Sequence, residues 1–145
     1  MGIPLQQPSE ESPRGEVKLG RRVLIVDDAE DARAALAQFI ILLGHDVRTA
    51  RSGREALELA ASFVPHVIFL DIGMPELDGY EVCSRLRTRQ SMKDTAIYAV
   101  TGFGSERHKV RSKQAGFEGH LVKPLDLDHI AELLGVERED TTARR

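Results

Sequence analysis

The sequence predicts an α/β protein built around a doubly wound parallel sheet. Short, continuous apolar runs, such as Val-Ile-Phe-Leu at 67–70, alternate with longer stretches whose apolar residues recur every three or four positions. The continuous runs are typical of strands that are buried on both faces, and the longer spacing is typical of amphipathic helices. Alternation of the two patterns predicts parallel strands that are joined by helical crossovers.

Five strands are predicted in chain order. The second mixes polar and apolar residues and therefore better suits the edge of a sheet, and the fifth is the weakest of the apolar runs. Right-handed crossovers place the carboxyl ends of all strands along one edge of the sheet, which is where ligands bind in such folds. The predicted strands are 23–26, 46–50, 67–70, 96–100 and 119–122.

Five helices are predicted after these strands. Gly44 is expected to end the first, Ser52 and Glu55 form a capping-box pattern at the start of the second, and Asp126 is expected to cap the fifth. The residues that mark the five helices are Ala32, Leu36, Phe39, Ile40 and Leu43; Ala56, Leu59, Ala60 and Phe63; Val82 and Leu86; Val110 and Ala115; and Ile130, Leu133 and Leu134.

The two ends of the chain differ from its middle. Residues 1–20 hold three of the six prolines among polar residues, and 135–145 is also polar. Neither end buries enough apolar surface to offset its ordering entropy. We predict a flexible arm over 1–20, one domain over 21–134 and a polar tail over 135–145, with no room for an attached effector module.

Composition and charge limit the classes of partner. Twenty Lys and Arg against 23 Asp and Glu give a net charge of −3, which supplies no general attraction for nucleic acid or for an anionic membrane. No secretory signal pattern is evident, and the longest apolar run, 39–43, is far shorter than the ~20 residues of a membrane span. We expect a cytoplasmic protein that binds neither nucleic acid nor membrane.

The lone Cys83 excludes an internal disulfide, and both it and Met74 are expected to be packing residues.

Polar residues stand at the ends of four predicted strands: Asp27 and Asp28, Asp71, Thr101 and Lys123. Three carboxylates at one edge repel one another unless a cation neutralises them, and oxygen ligands favour Mg²⁺, with Mn²⁺ as a second possibility. A carboxylate beside such an ion, faced by an ammonium and a hydroxyl, is equipped for phosphoryl transfer.

Each of these residues also has a simpler interpretation. The pair Asp27-Asp28 could cap a helix at a strand-to-helix turn, and Asp71 could be a turn residue. Thr101 could only begin a loop, and Lys123 could be a solvated lysine at the end of a strand.

The order of these residues resembles the receiver domain of two-component response regulators, over about 21–134. The resemblance rests on Asp-Asp at 27–28, Asp-Ile-Gly-Met-Pro at 71–75 with Gly79 beyond it, Thr-Gly at 101–102 and Lys-Pro at 123–124. It implies a flavodoxin-like five-stranded sheet with strand order 2-1-3-4-5 and helices on both faces. Residues 116–125 look most similar to the receivers of hybrid sensor kinases.

The resemblance implies that Asp71 is the phosphoacceptor, which takes its phosphoryl group from the phosphohistidine of a sensor histidine kinase or of a histidine phosphotransfer protein. Thr101 would bind one phosphoryl oxygen and move inward after modification. Lys123 would bind another, and its peptide bond to Pro124 is expected to be cis. Such a domain catalyses only its own phosphorylation and dephosphorylation.

The resemblance also implies a metal site. Asp28 and Asp71 would ligate Mg²⁺ directly, Asp27 would act mainly through water, and the backbone carbonyl of Gly73 would complete the protein ligands. Gly73 and Phe103 stand at two positions that tune the lifetime of the phosphoryl group in this family. Because neither side chain carries an acid or an amide to orient a water, we predict slow intrinsic dephosphorylation.

Two further features concern signalling. Receivers commonly carry Tyr or Phe three residues before the lysine, where this chain has His120; it is either a polar switch ring that titrates near neutral pH or a ring that only fills the same space. The basic stretch 106–113 lies in the fourth helix, and the face formed by helix 4, strand 5 and helix 5 commonly meets partners in this family. The basic stretch is either a solvated face or the contact for an acidic partner.

Two other functions remain open. A pseudo-receiver would bind partners without phosphorylation, although the full set of Asp27, Asp28, Asp71, Thr101 and Lys123 disfavours it. A phosphohydrolase of the haloacid-dehalogenase type would also use an aspartyl phosphate, but it usually needs a second acid two residues after the nucleophile, where this chain has Gly73.

Overall fold

Five parallel strands form one sheet in the order β2-β1-β3-β4-β5, and the predicted fold class is confirmed. The mixed strand β2 lies at one edge, and every residue of β3, the central strand, is buried. The strands are β1 (Arg22–Val26), β2 (Asp46–Ala50), β3 (Val67–Asp71), β4 (Ala96–Thr101) and β5 (Gly119–Val122). Asp71 and Thr101 are thus the last residues of their strands.

Helices connect the strands and cover both faces of the sheet. They are α1 (Glu30–Leu42), α2 (Gly53–Phe63), α3 (Gly79–Arg87), α4 (Glu106–Ala115) and α5 (Leu127–Gly135), and a short 3-10 helix, Gln90–Met92, follows α3. This computed structural model describes residues 20–75, 78–102 and 106–135, without the side chains of 106–109 and 112. Nearly all of the predicted arm and tail, and Phe103, lie outside the described residues.

The hydrophobic core has two layers, one on each face of the sheet. Successive strand residues point to opposite faces, so Leu24 and Ile68 pack with α2 and α3, whereas Ile25 and Phe69 pack with α1 and α5. Both Cys83 and Met74 are buried in the first layer, as expected of packing residues. The double burial of the central strands explains their continuous apolar sequence.

Helix termini follow the predicted signals. The Ser52 hydroxyl oxygen accepts a hydrogen bond of 3.1 Å from the Glu55 N–H, and the Glu55 carboxylate accepts one of 2.9 Å from the Arg51 N–H. Asp126 accepts a hydrogen bond of 3.0 Å from the Asp128 N–H at the start of α5. Gly44 follows α1 with φ = 100°, a conformation that favours glycine.

Candidate functional site

Strand register brings two of the predicted carboxylates together at the carboxyl edge of the sheet. Val26 pairs with Leu70 in the ladder between β1 and β3, so Asp27 and Asp71 follow directly on adjacent strands. Asp28 joins them, and one carboxylate oxygen from each of the three residues lies within 4.8 Å of the others. Asp27 and Asp71 are buried, whereas Asp28 is exposed.

Backbone turns orient the two buried carboxylates. The Ala29 N–H donates a hydrogen bond of 2.9 Å to Oδ1 of Asp27, and the Gly73 N–H donates one of 2.7 Å to Oδ1 of Asp71. Ala29 is the residue that immediately precedes α1, so neither aspartate of the Asp27-Asp28 pair occupies the capping position. The helix-cap interpretation of this pair is therefore wrong.

Lys123 reaches both buried carboxylates from β5. Its Nζ lies 3.0 Å from Oδ2 of Asp71 and 3.6 Å from Oδ2 of Asp27. The peptide bond between Lys123 and Pro124 is cis, and the Lys123 N–H donates a hydrogen bond of 2.8 Å to the Thr101 carbonyl. A lysine that is held in this way is not the freely solvated strand-end residue of the simpler interpretation.

Burial alone would lower the pKa of Lys123, but the hydrogen bond and charge of Asp71, together with Asp27, raise it above its ordinary value. Lys123 therefore carries its charge at neutral pH. The pKa of Asp27 is also raised, first by burial and then by the charges of Asp71 and Asp28, against the Ala29 N–H and Lys123, which lower it. A further cation at the cluster would favour the ionised form of this carboxyl.

The donor set fits a hard divalent cation. Asp27, Asp28 and Asp71 offer only oxygen atoms, which Mg²⁺ and Mn²⁺ prefer. The exposed position of Asp28 leaves one side of the cluster open to solvent, and Mg²⁺ usually keeps several of its waters. A metal site formed by these three aspartates is therefore consistent with the structure.

Thr101 and His120 lie on neighbouring strands beside the cluster. Thr101 is buried at the end of β4 and pairs with Val122, whereas His120 pairs with Ala99 and is half-buried. Because side chains alternate along a strand, Thr101 and His120 point to the same face of the sheet. This shared face is compatible with the predicted inward movement of Thr101 and with a switch role for His120. Both roles stay a prediction.

Arg33 lies beside the site, and no pattern in the sequence predicts this contact. Its Nη1 donates a hydrogen bond of 2.9 Å to the Asp27 carbonyl oxygen, and it therefore ties the first turn of α1 to the end of β1. The available signal was its position six residues after Asp27, but arginines near helix starts are too common for that spacing to identify a contact.

Among the residues that the structure describes, no helix is long and apolar enough to span a bilayer.

Comparison with protein families identifies the chain. Residues 23–135 match the model described as "Response regulator receiver domain". Response regulator MprA of Mycolicibacterium vanbaalenii is 38% identical over 109 residues, which are 75% of this chain and 46% of MprA. Regulatory protein AtoC of Escherichia coli is 33% identical over 109 residues, again 75% of this chain but 23% of AtoC. The chain thus spans about half of one relative and about a quarter of the other.

Solved structures show the same fold. Chemotaxis response regulator CheY4 of Vibrio cholerae is 32% identical, with a TM-score of 0.75, and the match covers 81% of this chain and 97% of CheY4. A response regulator protein from Burkholderia pseudomallei is 26% identical, with a TM-score of 0.73, and the match covers 86% of this chain and 72% of that one. The likeness to hybrid-kinase receivers stays a prediction. Sequence, fold and acidic cluster agree that the chain belongs to the response regulator receiver domain family of two-component systems.

Proposed function

We propose that this receiver accepts a phosphoryl group on Asp71 from the phosphohistidine of a sensor histidine kinase or of a histidine phosphotransfer protein. The observation that carries the proposal is the contact of Asp71 with Lys123, at 3.0 Å, inside a group of three carboxylates. Perturbed ionisable groups gathered at the ligand-binding edge of an α/β sheet are typical of a functional site.

The transfer step is a displacement at phosphorus. A carboxylate oxygen of Asp71 forms the new O–P bond while the P–N bond of the phosphohistidine breaks. The electron pair of the P–N bond returns to the ring, which leaves as neutral imidazole because its other nitrogen carries a proton. Lys123 neutralises charge on the phosphoryl oxygens, and Thr101 donates its hydroxyl proton in a hydrogen bond to one of them.

Mg²⁺ is the proposed cofactor, with Asp27, Asp28, Asp71 and the Gly73 carbonyl as its protein ligands, Asp27 mainly through water. When bound, the ion would neutralise charge on the phosphoryl oxygens. The structure of the Burkholderia pseudomallei relative is described as containing a phosphorylated aspartic acid and a calcium ion. That description supports both an aspartyl phosphate and a divalent cation in a protein of this fold.

An apolar recess beside the acidic cluster supports docking of a protein phosphodonor. It has a volume of about 240 Å³ and adjoins both Asp27 and Lys123. We infer that the protein that carries the phosphohistidine docks at this recess, where apolar residues around the phosphohistidine would be buried. The recess is also lined by Ala32, Ala35, Leu36, Pro124, Leu125 and Leu127.

Output is proposed to pass through the face formed by α4, β5 and α5. Three large apolar side chains are exposed there: Val110 on α4 at 55%, Val122 on β5 at 43% and Leu127 on α5 at 45%. The downstream partner is a protein, and basic residues of α4 favour an acidic patch on it. Inward movement of Thr101, with His120 beside it, would change this face after phosphorylation.

The signalling unit is proposed to be residues 21–134, acting in the cytoplasm. Neither a nucleic acid nor a membrane is a proposed direct partner of this unit, because the net charge of −3 of the whole chain offers no general attraction to either.

Intact mass spectrometry after incubation with acetyl phosphate and Mg²⁺ tests the proposal. The wild type is expected to gain one phosphoryl group, and Asp71→Asn is expected to gain none. Absence of a gain in the wild type, also with a cognate kinase, would favour the pseudo-receiver. Turnover of small phosphate monoesters would favour the phosphohydrolase.

A further inference from the structure

The first residue of α3 has no space for a side chain. A Cβ atom added to Gly79 would lie 2.7 Å from Cα of Ile72 and 2.8 Å from Cγ2 of the same residue. Carbon atoms are optimally separated by about 3.5–4.0 Å. The helix therefore presses its backbone directly against Ile72, and only glycine allows this approach.

Ile72 stands between two residues of the site. Its N–H donates a hydrogen bond of 3.0 Å to the Val100 carbonyl, which extends the pairing of β3 with β4 by one residue. The next N–H, that of Gly73, donates to Oδ1 of Asp71 at 2.7 Å. A shift of the Ile72 backbone would therefore move the donor that orients the Asp71 carboxylate.

The helix side of this contact is the firmer side. Asp78 accepts a hydrogen bond of 2.9 Å from the Tyr80 N–H at the start of α3, and it also pairs with Arg111 of α4 at 2.8 Å. Four of the α3 residues that follow Gly79 are buried: Tyr80, Val82, Cys83 and Leu86. Because packed interiors resist displacement, added volume at position 79 would be relieved at the exposed Gly73 rather than in the helix.

We propose that Gly79 is a positioning residue for the phosphoacceptor. By lacking a side chain it lets α3 support Ile72, and that support holds the Gly73 N–H on the carboxylate of Asp71. The consequences for phosphorylation and for Mg²⁺ affinity rest on the proposed function, whereas the consequence for the orientation of the Asp71 carboxylate does not.

The test compares Gly79→Ala with Gly116→Ala. Gly116 lies near the opposite edge of the sheet, where an added Cβ would be 2.8 Å from Cγ of Arg87 and where φ is 105°. It serves as a control because an added Cβ also meets a neighbour there, although that neighbour is a side chain and not backbone, because the position is strained in addition, and because it is remote from Asp71. Three readouts are compared well below the melting temperature: the rate of phosphorylation by acetyl phosphate, the Mg²⁺ concentration at half-saturation, and the NMR chemical shift of the Gly73 amide.

For Gly79→Ala we expect a shifted Gly73 amide resonance, weaker Mg²⁺ binding and a rate reduced by about 10- to 100-fold, as small misplacements of reacting groups cause. Gly116→Ala is expected to lose stability but to keep all three readouts. A folded Gly79→Ala with wild-type amide shift, Mg²⁺ affinity and rate would overturn the inference, as would equal losses in the two variants.

Two further outcomes are decided separately. Should Gly79→Ala fail to fold, Ile72→Ala removes Cγ2 and loosens the same contact from the other side; an unchanged Mg²⁺ affinity and Gly73 amide in that variant would overturn the inference. Should the wild type itself gain no phosphoryl group, the proposed function fails, and the chemical shift of the Gly73 amide still decides whether Gly79 positions Asp71.

Discussion

The ammonium of Lys123 donates a hydrogen bond of 3.0 Å to Oδ2 of Asp71, and this ion pair joins the carboxyl ends of β5 and β3 across β4. It places a fixed positive charge beside the proposed phosphoacceptor. Because Oδ1 of Asp71 is held by the Gly73 N–H, both oxygens of the carboxylate have defined partners.

Loss of the Lys123 charge should slow phosphorylation. Lys123→Met keeps much of the side-chain volume but removes the ammonium, and we expect the rate with acetyl phosphate to fall by about 100-fold, the size typical of losing one donor to a developing charge. Lys123→Arg keeps the charge with a different geometry, and its phosphorylation rate is expected to lie between those of the wild type and Lys123→Met. A folded Lys123→Met that is phosphorylated at the wild-type rate would contradict this role.

Asp27→Asn should stabilise the protein in the absence of metal and should reduce the stabilisation that Mg²⁺ confers. Burial and the neighbouring carboxylates raise the pKa of Asp27, so the ionised form is disfavoured in the folded protein, and the neutral amide should raise the melting temperature in EDTA. The added stability that Mg²⁺ confers on the wild type should shrink in this variant. Thermal unfolding with and without Mg²⁺ measures both; an unchanged Mg²⁺ response would remove Asp27 from the metal site.

The phosphorylated protein should be long-lived. A Cβ at Gly73 would lie 3.4 Å from Oδ1 of Asp71, so the wild type has no side chain where one could orient a hydrolytic water. Gly73→Asn should speed hydrolysis by about tenfold, less than the ~100-fold or more of a well-placed proton-transfer group. Mass spectrometry over time gives both rates. Rapid loss from the purified wild type, with no phosphatase present, would refute the prediction.

Arg87 should matter for stability far more than Arg85, two residues earlier on α3. Its Nη1 donates to the Thr95 and Met92 carbonyls at 2.7 and 3.0 Å, and its Nε donates to the Gly116 carbonyl at 2.9 Å. Arg87→Met should lower the free energy of unfolding by about 2–4 kcal/mol, because charged hydrogen bonds contribute ~1.5–3 kcal/mol each and are not additive.

Arg85→Met is the matched control on the same helix. The Arg85 guanidinium has one described polar contact, an exposed ion pair with Glu81 at 2.9 Å, and such pairs contribute about 0.3–0.5 kcal/mol. Urea unfolding compares the two variants. Equal losses of stability would show that the carbonyl contacts of Arg87 contribute little.

His45 should make the fold less stable in mild acid. Burial, with the charge of Arg21, lowers its pKa below the ordinary 6.5, and its Nδ1 accepts a hydrogen bond of 3.2 Å from the Arg21 N–H, which a protonated nitrogen cannot accept. His45 therefore binds a proton more tightly in the unfolded chain than in the folded protein. The stability that neutral His45 contributes is complete above pH 6.5 and is lost as the pH falls toward its lower pKa in the folded protein.

His45→Asn keeps an acceptor near the position of Nδ1 but does not titrate. The decrease in the free energy of unfolding between neutral pH and mild acid should therefore be smaller in this variant than in the wild type, as measured by urea unfolding across that range. Identical pH dependence in the two proteins would exclude His45 as a contributor.

Local sequence patterns predict much of the fold. The double burial of β1, β3 and β4 produces their unbroken apolar runs. The Ser52 hydroxyl accepts from the Glu55 N–H as the capping-box pattern predicts, whereas the Glu55 carboxylate accepts from the N–H of Arg51, one residue before the cap. Only Val110 and Ala115 mark α4 in the sequence, and Val110 is exposed; the helix is supported by contacts such as Ala115 against the core and Arg111 with Asp78.

The site was predictable only in part, for a physical reason. Asp27, Asp71 and Lys123 could be grouped because parallel strands end along one edge. The contact of Arg33 with the Asp27 carbonyl and the pressure of Gly79 on Ile72 depend on how helices settle on the sheet. Such packing distances have no signature in residue spacing.

The central claim is that Asp71 carries the phosphoryl group. After phosphorylation with acetyl phosphate and Mg²⁺, borohydride reduces an aspartyl phosphate to homoserine, and tandem mass spectrometry of the peptides locates it. We expect homoserine at position 71 alone, and only in protein that was phosphorylated. Homoserine at another aspartate, or a stable phosphoryl group without any homoserine, would contradict it.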